Sequence, residues 1–308
     1  MSDSPTELDS VGFAFEVDPA TVLPVARARD LLVAARAALA GGRATLPYYR
    51  SASLRTTEKS PGDPVTEADH AANRAVLSVL HGELPDDPIL SEESPRPAAA
   101  SEARRLWVVD PLDGTREFID GIDEFAVMVG LAEEGRALLG AFYVPGSGLL
   151  YLGVADEGAW IAECRVEADP AAPIEVGTLR PLRVGQPAGD GVRLVRSRSH
   201  PDERLQAIEA ALPSVEVIPS GSVGVKCARI AERVADLYVH PVPYLKEWDT
   251  CAPEAVLRGA GGRVTDCGGG ELRYGKPDPR QPSGILAGDP SSWASALPLV
   301  REMCAPIL

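Results

Sequence analysis

The segment at residues 107–118, WVVDPLDGTREF, places two carboxylates at the end of an apolar, β-branched run. Asp110 follows this run directly, and Asp113 stands three residues later, beyond a proline. Two like charges at the edge of a low-dielectric core raise each other's pKa, so the arrangement is costly unless a positive group lies between them. The spacing therefore points to a cation site. In isolation, the same DPLDGT stretch could also form an Asx turn and a glycine turn between two strands.

More carboxylates stand where other elements begin or end. Glu92 and Glu93 follow the short apolar segment 88–90, and Asp249 follows Trp248 where a helix is expected to begin. Oxygen ligands without a cysteine or histidine cluster favour hard cations, and Mg²⁺ prefers a few carboxylates together with substrate phosphate and water. The pattern therefore favours magnesium over zinc.

Each of these acids also has a purely structural interpretation. Asp249 alone could cap a helix by accepting backbone N–H groups. The run Thr66-Glu67-Ala68-Asp69 has the spacing of a capping box. Glu92-Glu93 before Ser-Pro could be a solvated turn. Considered jointly, the acids favour a shared cation site over a set of separate structural roles.

The charge balance limits the classes of partner. The 308-residue chain carries 30 Lys plus Arg against 45 Asp plus Glu, a net charge of −15. This charge weighs against binding to a nucleic acid polymer or to an anionic membrane. An anionic small molecule would need a local positive feature, which bound cations could supply.

The cysteines and the N-terminal residues bear on the compartment. The five cysteines are odd in number and form no CxxC pair, so neither a disulfide framework nor a zinc site is predicted. The first ten residues are polar and acidic, unlike a signal peptide, and no apolar run reaches 18 residues. We expect a cytoplasmic protein.

The pattern of elements predicts an α/β (α+β) chain in three parts. Residues 1–19 are expected to form a flexible acidic arm, residues 20–165 an N-terminal α+β domain with an antiparallel sheet and most of the acids, and residues 166–308 a C-terminal α/β domain. A first helix is predicted to end at Gly41-Gly42, a second to begin near Thr66, and another to follow Asp249. An antiparallel meander is predicted from Leu106 onward.

Four motifs in a fixed order resemble one superfamily. They are DPVTEAD (63–69), ILSEE (89–93), DPLDGT (110–115) and WDTCAPEAVLRGAGG (248–262). Together they are similar to the lithium-sensitive, magnesium-dependent phosphatases that include inositol monophosphatases, fructose-1,6-bisphosphatases and 3′(2′),5′-bisphosphate nucleotidases, over about residues 60–290. The resemblance implies a layered αβαβα sandwich with the active site between its two sheets.

The resemblance also implies a set of metal ligands. Glu92, Asp110 and the Leu112 carbonyl would hold one Mg²⁺, and Asp110, Asp113 and Asp249 a second. A weaker third ion would use Glu92 and water. Two or three Mg²⁺ would then offset the five carboxylates of the site, which are Asp69, Glu92, Asp110, Asp113 and Asp249.

The implied reaction is phosphomonoester hydrolysis by in-line attack of a metal-activated water, without a covalent intermediate. Thr115 and Asp69 would orient this water, and Asp69 would also accept its proton, with Glu92 as the third catalytic residue. Backbone N–H groups at Gly114-Thr115 and Gly221-Ser222 are expected to bind phosphate oxygens. Inhibition by Li⁺ is expected.

The substrate side favours the bisphosphate nucleotidase branch. Lys246 and the SRSH segment, with Ser199 and His200, resemble that branch, and inositol monophosphatases usually carry a glutamate where His240 stands. The expected reaction removes the 3′-phosphate of 3′-phosphoadenosine 5′-phosphate, a by-product of sulfur metabolism, to give AMP. The alternatives are an inositol- or sugar-phosphate phosphatase with the same metal site, and a catalytically silent nucleotide-binding regulator. The sequence is compatible with a homodimer and does not determine the oligomeric state. Lys246 could also be a solvated surface lysine, and His200 could equally be a residue at a helix start.

Overall fold

The computed structural model describes residues 13–15, 19, 22–24, 26–185, 191–198, 202–212 and 214–305. Within these ranges, two β-sheets and a two-stranded hairpin combine with helices on both sides of each sheet. No helix in the described ranges is long and apolar enough to cross a membrane. Ser199 and His200 lie outside the described residues, so the expected contacts of the SRSH segment stay predictions for these two positions.

The first sheet has nine strands and contains the predicted meander. Strands β5 to β9 run antiparallel in chain order, whereas β4 lies parallel to β5, and β1 lies parallel to β10 at the far edge. The strands are β1 (Phe13–Phe15), β4 (Ile89–Ser91), β5 (Arg105–Asp113), β6 (Ala126–Glu133), β7 (Arg136–Val144), β8 (Leu149–Val154), β9 (Gly158–Arg165), β10 (Ile174–Val176) and β11 (Arg180–Leu182). The hairpin pairs β2 (Thr56–Ser60) with β3 (Asp63–Thr66).

The second sheet has five strands in the order β13-β12-β14-β16-β15. Its first three strands are parallel and the last two pair antiparallel. They are β12 (Val192–Ser197), β13 (Val215–Ser220), β14 (Leu237–His240), β15 (Arg263–Thr265) and β16 (Ile285–Gly288). The helices are α1 (Ala28–Thr45), α2 (Glu67–Glu83), α3 (Thr115–Ile119), α4 (Glu203–Ala211), α5 (Val223–Ala231), α6 (Glu247–Gly259) and α7 (Pro290–Cys304), and a 3₁₀ turn spans Ala98–Ser101.

Three apolar clusters produce five layers. α1 and α2 pack on the outer face of the first sheet. α5 and α6 fill the space between the sheets, and α4 and α7 cover the outer face of the second sheet. Side chains alternate between the two faces of β12, so this strand packs against helices on both sides: Leu194 faces the outer helices and Val195 faces the inner ones. The predicted αβαβα sandwich is confirmed.

The first sheet extends beyond the boundary expected at residue 165. β10 and β11 both pair with β9, so the chain leaves this sheet only after Leu182. β1 lies within the segment expected to be a flexible arm, yet it pairs with β10 and buries Phe13 to 3% exposure. This part of the arm is therefore a strand of the sheet, and residues 1–12 and 16–18 lie outside the described residues.

The end predicted for α1 is wrong, because the helix continues through Gly41 and Gly42 to Thr45. Both glycines are buried, and a Cβ on Gly41 would lie 2.7 Å from Val127 Cγ1. The glycines therefore allow the helix to approach the sheet closely instead of ending it. The predicted start of α2 is confirmed, because Thr66 caps the helix and accepts the Ala68 N–H at 3.1 Å.

A row of glycines determines how closely α6 lies on the first sheet. Gly130, Gly140 and Gly153 are paired directly across β6, β7 and β8. A Cβ on Gly130 would lie 2.7 Å from Cys251 Sγ, and one on Gly140 would lie 2.6 Å from Ala252 Cα. Because these positions have no side chain, the backbone of α6 rests against the strands, and this fixes its depth between the two sheets.

We expect Gly140→Ala to destabilise the protein by about 1–3 kcal/mol, because the added methyl group has to push α6 away from the sheet. Gly82→Ala in α2 is the matched control, since nothing lies within 4 Å of its Cβ position. Replacing that glycine should leave the stability unchanged or raise it by about 0.4–1 kcal/mol. Urea unfolding of both variants measures the difference, and an equal stability for the two would contradict the close approach.

Candidate metal centre and active site

Three carboxylates from distant parts of the chain converge between the sheets. Asp110 and Asp113 lie at the end of β5, Asp249 lies in the first turn of α6, and their ligand oxygens all fall within 4.8 Å of one another. Residues three apart on a regular strand face opposite sides of the sheet. The pairing of β5 with β6 is irregular between Asp110 and Asp113, and such an irregularity re-aims side chains. The structure therefore brings together three of the predicted ligands.

Each of the three carboxylates is held by protein donors. Asp110 Oδ1 accepts the Leu112 N–H at 3.0 Å. Asp113 Oδ2 accepts the Gly224 N–H at 3.0 Å and the Ser222 hydroxyl, so Asp113 lies at the N-terminus of α5, where the helix dipole favours an anion. These contacts fix the orientation of the carboxylates before any ligand arrives.

Asp249 does not have the N-cap position that its local sequence allows. The helix begins at Glu247, one residue before Trp248, so Asp249 is the third residue of α6 and not its N-cap. Its Oδ2 accepts the Lys246 N–H at 2.6 Å, the backbone half of a capping box. The carboxylate thus both ties down the start of α6 and faces Asp110 and Asp113.

The electrostatics of this triad favour a bound cation. Burial raises the pKa of Asp110 well above its usual value, and the nearby Glu92, Asp113 and Asp249 raise it further. Burial, with Glu92 and Asp113, raises the pKa of Asp249 to about 8. Acids that resist ionisation in this way are stabilised as anions when a divalent cation lies among them. The oxygen-only donor set fits a hard cation.

Glu92 lines the same cavity but stands outside the converging triad. Lys59 Nζ, on the exposed strand β2, donates to Glu92 Oε1 at 2.9 Å and also pairs with Glu93. Lys246 Nζ also lies 3.9 Å from Glu92 Oε1. In this structure, lysine ammonium groups therefore compensate the Glu92 charge.

Thr115 and Asp69 form the hydroxyl–carboxylate pair that the resemblance implies. Thr115 Oγ1 lies 3.1 Å from Asp69 Oδ1 and 3.1 Å from the Leu112 carbonyl oxygen. The other oxygen of Asp69 accepts both the N–H and the hydroxyl of Thr66, each at 2.7 Å. Burial raises the pKa of Asp69, while the hydrogen bonds from Thr66 and Thr115 oppose that rise. Asp69 is thus both a capping residue of α2 and a hydrogen-bond partner of Thr115, which lines the same cavity as the triad.

The expected phosphate donors are engaged differently. Gly114 adopts a φ of 95° and precedes α3 at the cavity wall. The Gly221 N–H, in contrast, donates to Glu124 Oε2 at 2.8 Å. Glu124 also pairs with Arg198 and Arg229. In this structure, Glu124 therefore holds the turn before α5, and the turn supports Asp113. The Gly221 N–H is engaged by Glu124, whereas we expect from the sequence that it binds phosphate.

A cavity of about 590 Å³ connects these groups with residues that sequence analysis did not select. Lys226 is 4% exposed, donates to the Ser222 carbonyl at 3.0 Å and lies 5.4 Å from the Tyr238 ring. Burial lowers the pKa of Lys226. The position of this lysine on the apolar face of α5 is the feature of the sequence that could have identified it as a site residue. Tyr244 also lines the cavity, and so does His240, which stands where the resemblance leads us to expect a glutamate in inositol monophosphatases.

Comparisons with known proteins agree with this geometry. A model of the inositol monophosphatase family matches residues 28–302. The 3′(2′),5′-bisphosphate nucleotidase CysQ of Salmonella typhimurium strain LT2 is 37% identical over 236 residues, which cover 76% of this chain and 89% of that protein. CysQ of Escherichia coli K12 is 36% identical over 228 residues, which cover 74% and 86%.

Solved structures show the same architecture. CysQ from Bacteroides thetaiotaomicron, described as a bacterial member of the inositol monophosphatase family, superposes with a TM-score of 0.70 at 31% identity. The match covers 84% of this chain and 97% of that one. The extragenic suppressor protein suhB from Bartonella henselae gives a TM-score of 0.73 at 26% identity, over 89% and 99% of the two chains. The chain belongs to the inositol monophosphatase family.

Proposed function

We propose that this protein is a Mg²⁺-dependent, Li⁺-sensitive phosphomonoesterase that removes the 3′-phosphate of 3′-phosphoadenosine 5′-phosphate and releases AMP and phosphate. The convergence of Asp110, Asp113 and Asp249 on one cavity carries the phosphatase assignment. The identity of 36–37% to bisphosphate nucleotidases over about three quarters of the chain supports the nucleotide substrate.

Asp110, Asp113, Asp249, Glu92 and the Leu112 carbonyl would hold two or three Mg²⁺ ions. Bound there, Mg²⁺ would acidify the attacking water and stabilise the charge that develops on the phosphate oxygens. Lys59 and Lys246 contact Glu92 in this structure. These lysines would have to release Glu92 before it could ligate an ion.

Thr115 would orient the attacking water. Its hydroxyl carries a single proton, and the Asp69 carboxylate is a stronger acceptor for that proton than the Leu112 carbonyl. With the proton directed at Asp69, the lone pairs of Thr115 Oγ1 accept a hydrogen bond from the water and direct its oxygen at phosphorus. Thr115 can then pass its proton to Asp69 as it takes one from the water, and burial raises the pKa of Asp69, which makes the carboxylate a stronger base.

The second phosphate of the nucleotide needs a cation apart from the metal centre. Lys246 lies on the cavity wall, with its Nζ 5.2 Å from the Trp248 ring and 3.9 Å from Glu92 Oε1. A phosphate dianion would compete with Glu92 for this ammonium group. Ser199 and His200 stay proposed contacts on the nucleoside side.

Asp113→Asn should lower kcat/KM by at least about 10²-fold, since the amide removes one negative charge from the triad. The fold should persist, because the amide oxygen can still accept the Gly224 N–H. Asp86→Asn, which neutralises an exposed carboxylate, is the matched control. Phosphate release and circular dichroism test both variants. Wild-type turnover by Asp113→Asn would remove Asp113 from the mechanism.

We expect LiCl to inhibit in the millimolar range while KCl at the same concentration does not. Li⁺ can occupy a position built for Mg²⁺ but supplies only half of its charge, so the carboxylate triad and the phosphate stay undercompensated. Initial rates at fixed Mg²⁺ with each salt give the comparison. Indifference to both salts would argue against the lithium-sensitive assignment.

Lys246→Ala should weaken hydrolysis of 3′-phosphoadenosine 5′-phosphate by about 10-fold more than hydrolysis of inositol 1-phosphate, because only the nucleotide carries a second phosphate. Arg104→Ala, which removes an exposed cation that does not line the cavity, is the control. Equal losses of activity on both substrates would contradict the assignment of Lys246 to the second phosphate. A wild-type preference for inositol 1-phosphate would leave the assignment of the metal centre unchanged and would identify an inositol phosphate, not the nucleotide, as the substrate.

A further inference from the structure

The wall of the active-site cavity exposes one aromatic ring that neither the metal centre nor the phosphate contacts use. Tyr244 is 71% exposed and lines the same cavity as Asp110, Asp113 and Asp249. The other large apolar side chains exposed within the described ranges are aliphatic and at most 44% exposed; they are Val22, Ile119, Val217 and Val234. A bare ring on the wall of a polar site is an unusual feature of this surface.

The backbone beneath this ring is held in place. Pro241 and Pro243 restrict the segment that leads into Tyr244, since each proline fixes φ and limits the preceding residue. Directly after Tyr244, the Leu245 carbonyl accepts the Gln281 N–H at 2.7 Å and the Glu247 N–H donates to the Pro279 carbonyl at 2.8 Å. The ring therefore projects from an ordered backbone, five residues before Asp249, and can bind a ligand at little cost in backbone entropy.

We propose that Tyr244 determines substrate specificity by stacking on the nucleobase of the substrate, a contact that rests on the nucleotide substrate proposed above. A volume of about 590 Å³ lies within the range of roughly 300–1,000 Å³ typical of small-molecule sites. Every nucleobase offers a π-face to an aromatic side chain, whereas the saturated ring of an inositol offers none.

Stacking on a group remote from phosphorus should be equally strong in the ground state and in the transition state. Removal of the ring should therefore raise KM and leave kcat unchanged. This split separates a specificity contact from a residue that positions the reacting groups. The dependence on salt separates Tyr244 from Lys246, because a neutral stacking contact is insensitive to salt and a lysine–phosphate contact weakens as KCl rises.

The test compares Tyr244→Ala and Tyr244→Phe on 3′-phosphoadenosine 5′-phosphate and on inositol 1-phosphate, at low and high KCl. We expect Tyr244→Ala to lower kcat/KM for the nucleotide about 10-fold through KM at both salt concentrations, and to weaken competitive inhibition by AMP by a similar factor. Tyr244→Phe keeps the ring and should stay within about two-fold of wild type, as should both variants on inositol 1-phosphate. Val234→Ala, an exposed apolar residue outside the cavity, is the control.

The outcomes separate this inference from the proposed function. If the wild type prefers the nucleotide and Tyr244→Ala loses the same factor on both substrates, loses only kcat, or loses nothing, the stacking role is overturned and the nucleotidase assignment stands. If the wild type prefers inositol 1-phosphate, the stacking role of Tyr244 and the nucleotidase assignment are both overturned. Because the side chain is 71% exposed, its truncation should leave the fold unchanged, and circular dichroism checks this.

Discussion

The close approach of α6 to the first sheet is the contact on which the active site depends. Gly130, Gly140 and Gly153 remove three adjacent side chains from the sheet surface, so Cys251, Ala252 and Val256 of the helix rest on strand backbone. Dispersion forces fall steeply with distance, and a contact at backbone range leaves the helix little freedom to shift. The first turn of the same helix carries Asp249. Its distance from Asp110 and Asp113 is thus determined by packing as much as by electrostatics.

The triad itself is a strained electrostatic arrangement that the surrounding fold holds in place. Burial and mutual repulsion disfavour three anions within 4.8 Å, yet backbone N–H groups and the Ser222 hydroxyl hold their oxygens in position. Lys226 lies buried near Asp113 and compensates part of its charge. A divalent cation bound among the carboxylates would relieve their repulsion and stabilise the folded chain. Under the proposed function, stability and catalysis would then depend on the same cluster.

Two kinds of segment line the cavity. The acids, Thr115 and the start of α5 come from strand ends and helix starts packed between the sheets, where the core limits their movement. The tip of the β2–β3 hairpin at residues 60–64 and the segment at residues 244–246 contribute another part of the wall. Loops can vary without disturbing the layers beneath them. The loop part of the wall can therefore vary while the acids keep their positions.

The sequence by itself determined the features that local patterns encode. The capping box at Thr66 and the antiparallel meander were predicted because their hydrogen bonds or alternation lie within a few residues, and the order of the four motifs indicated the family and its five layers. The same local reasoning failed at Gly41 and Gly42, which look like a helix end but form a packing surface against Val127 and Tyr143. Only the tertiary structure decided the contacts between distant residues. Gly221 and Glu124 are 97 residues apart, and Lys59 and Glu92 are 33 apart. Their pairing depends on the distances that the packed layers impose, and a linear pattern of residue types carries no measure of those distances.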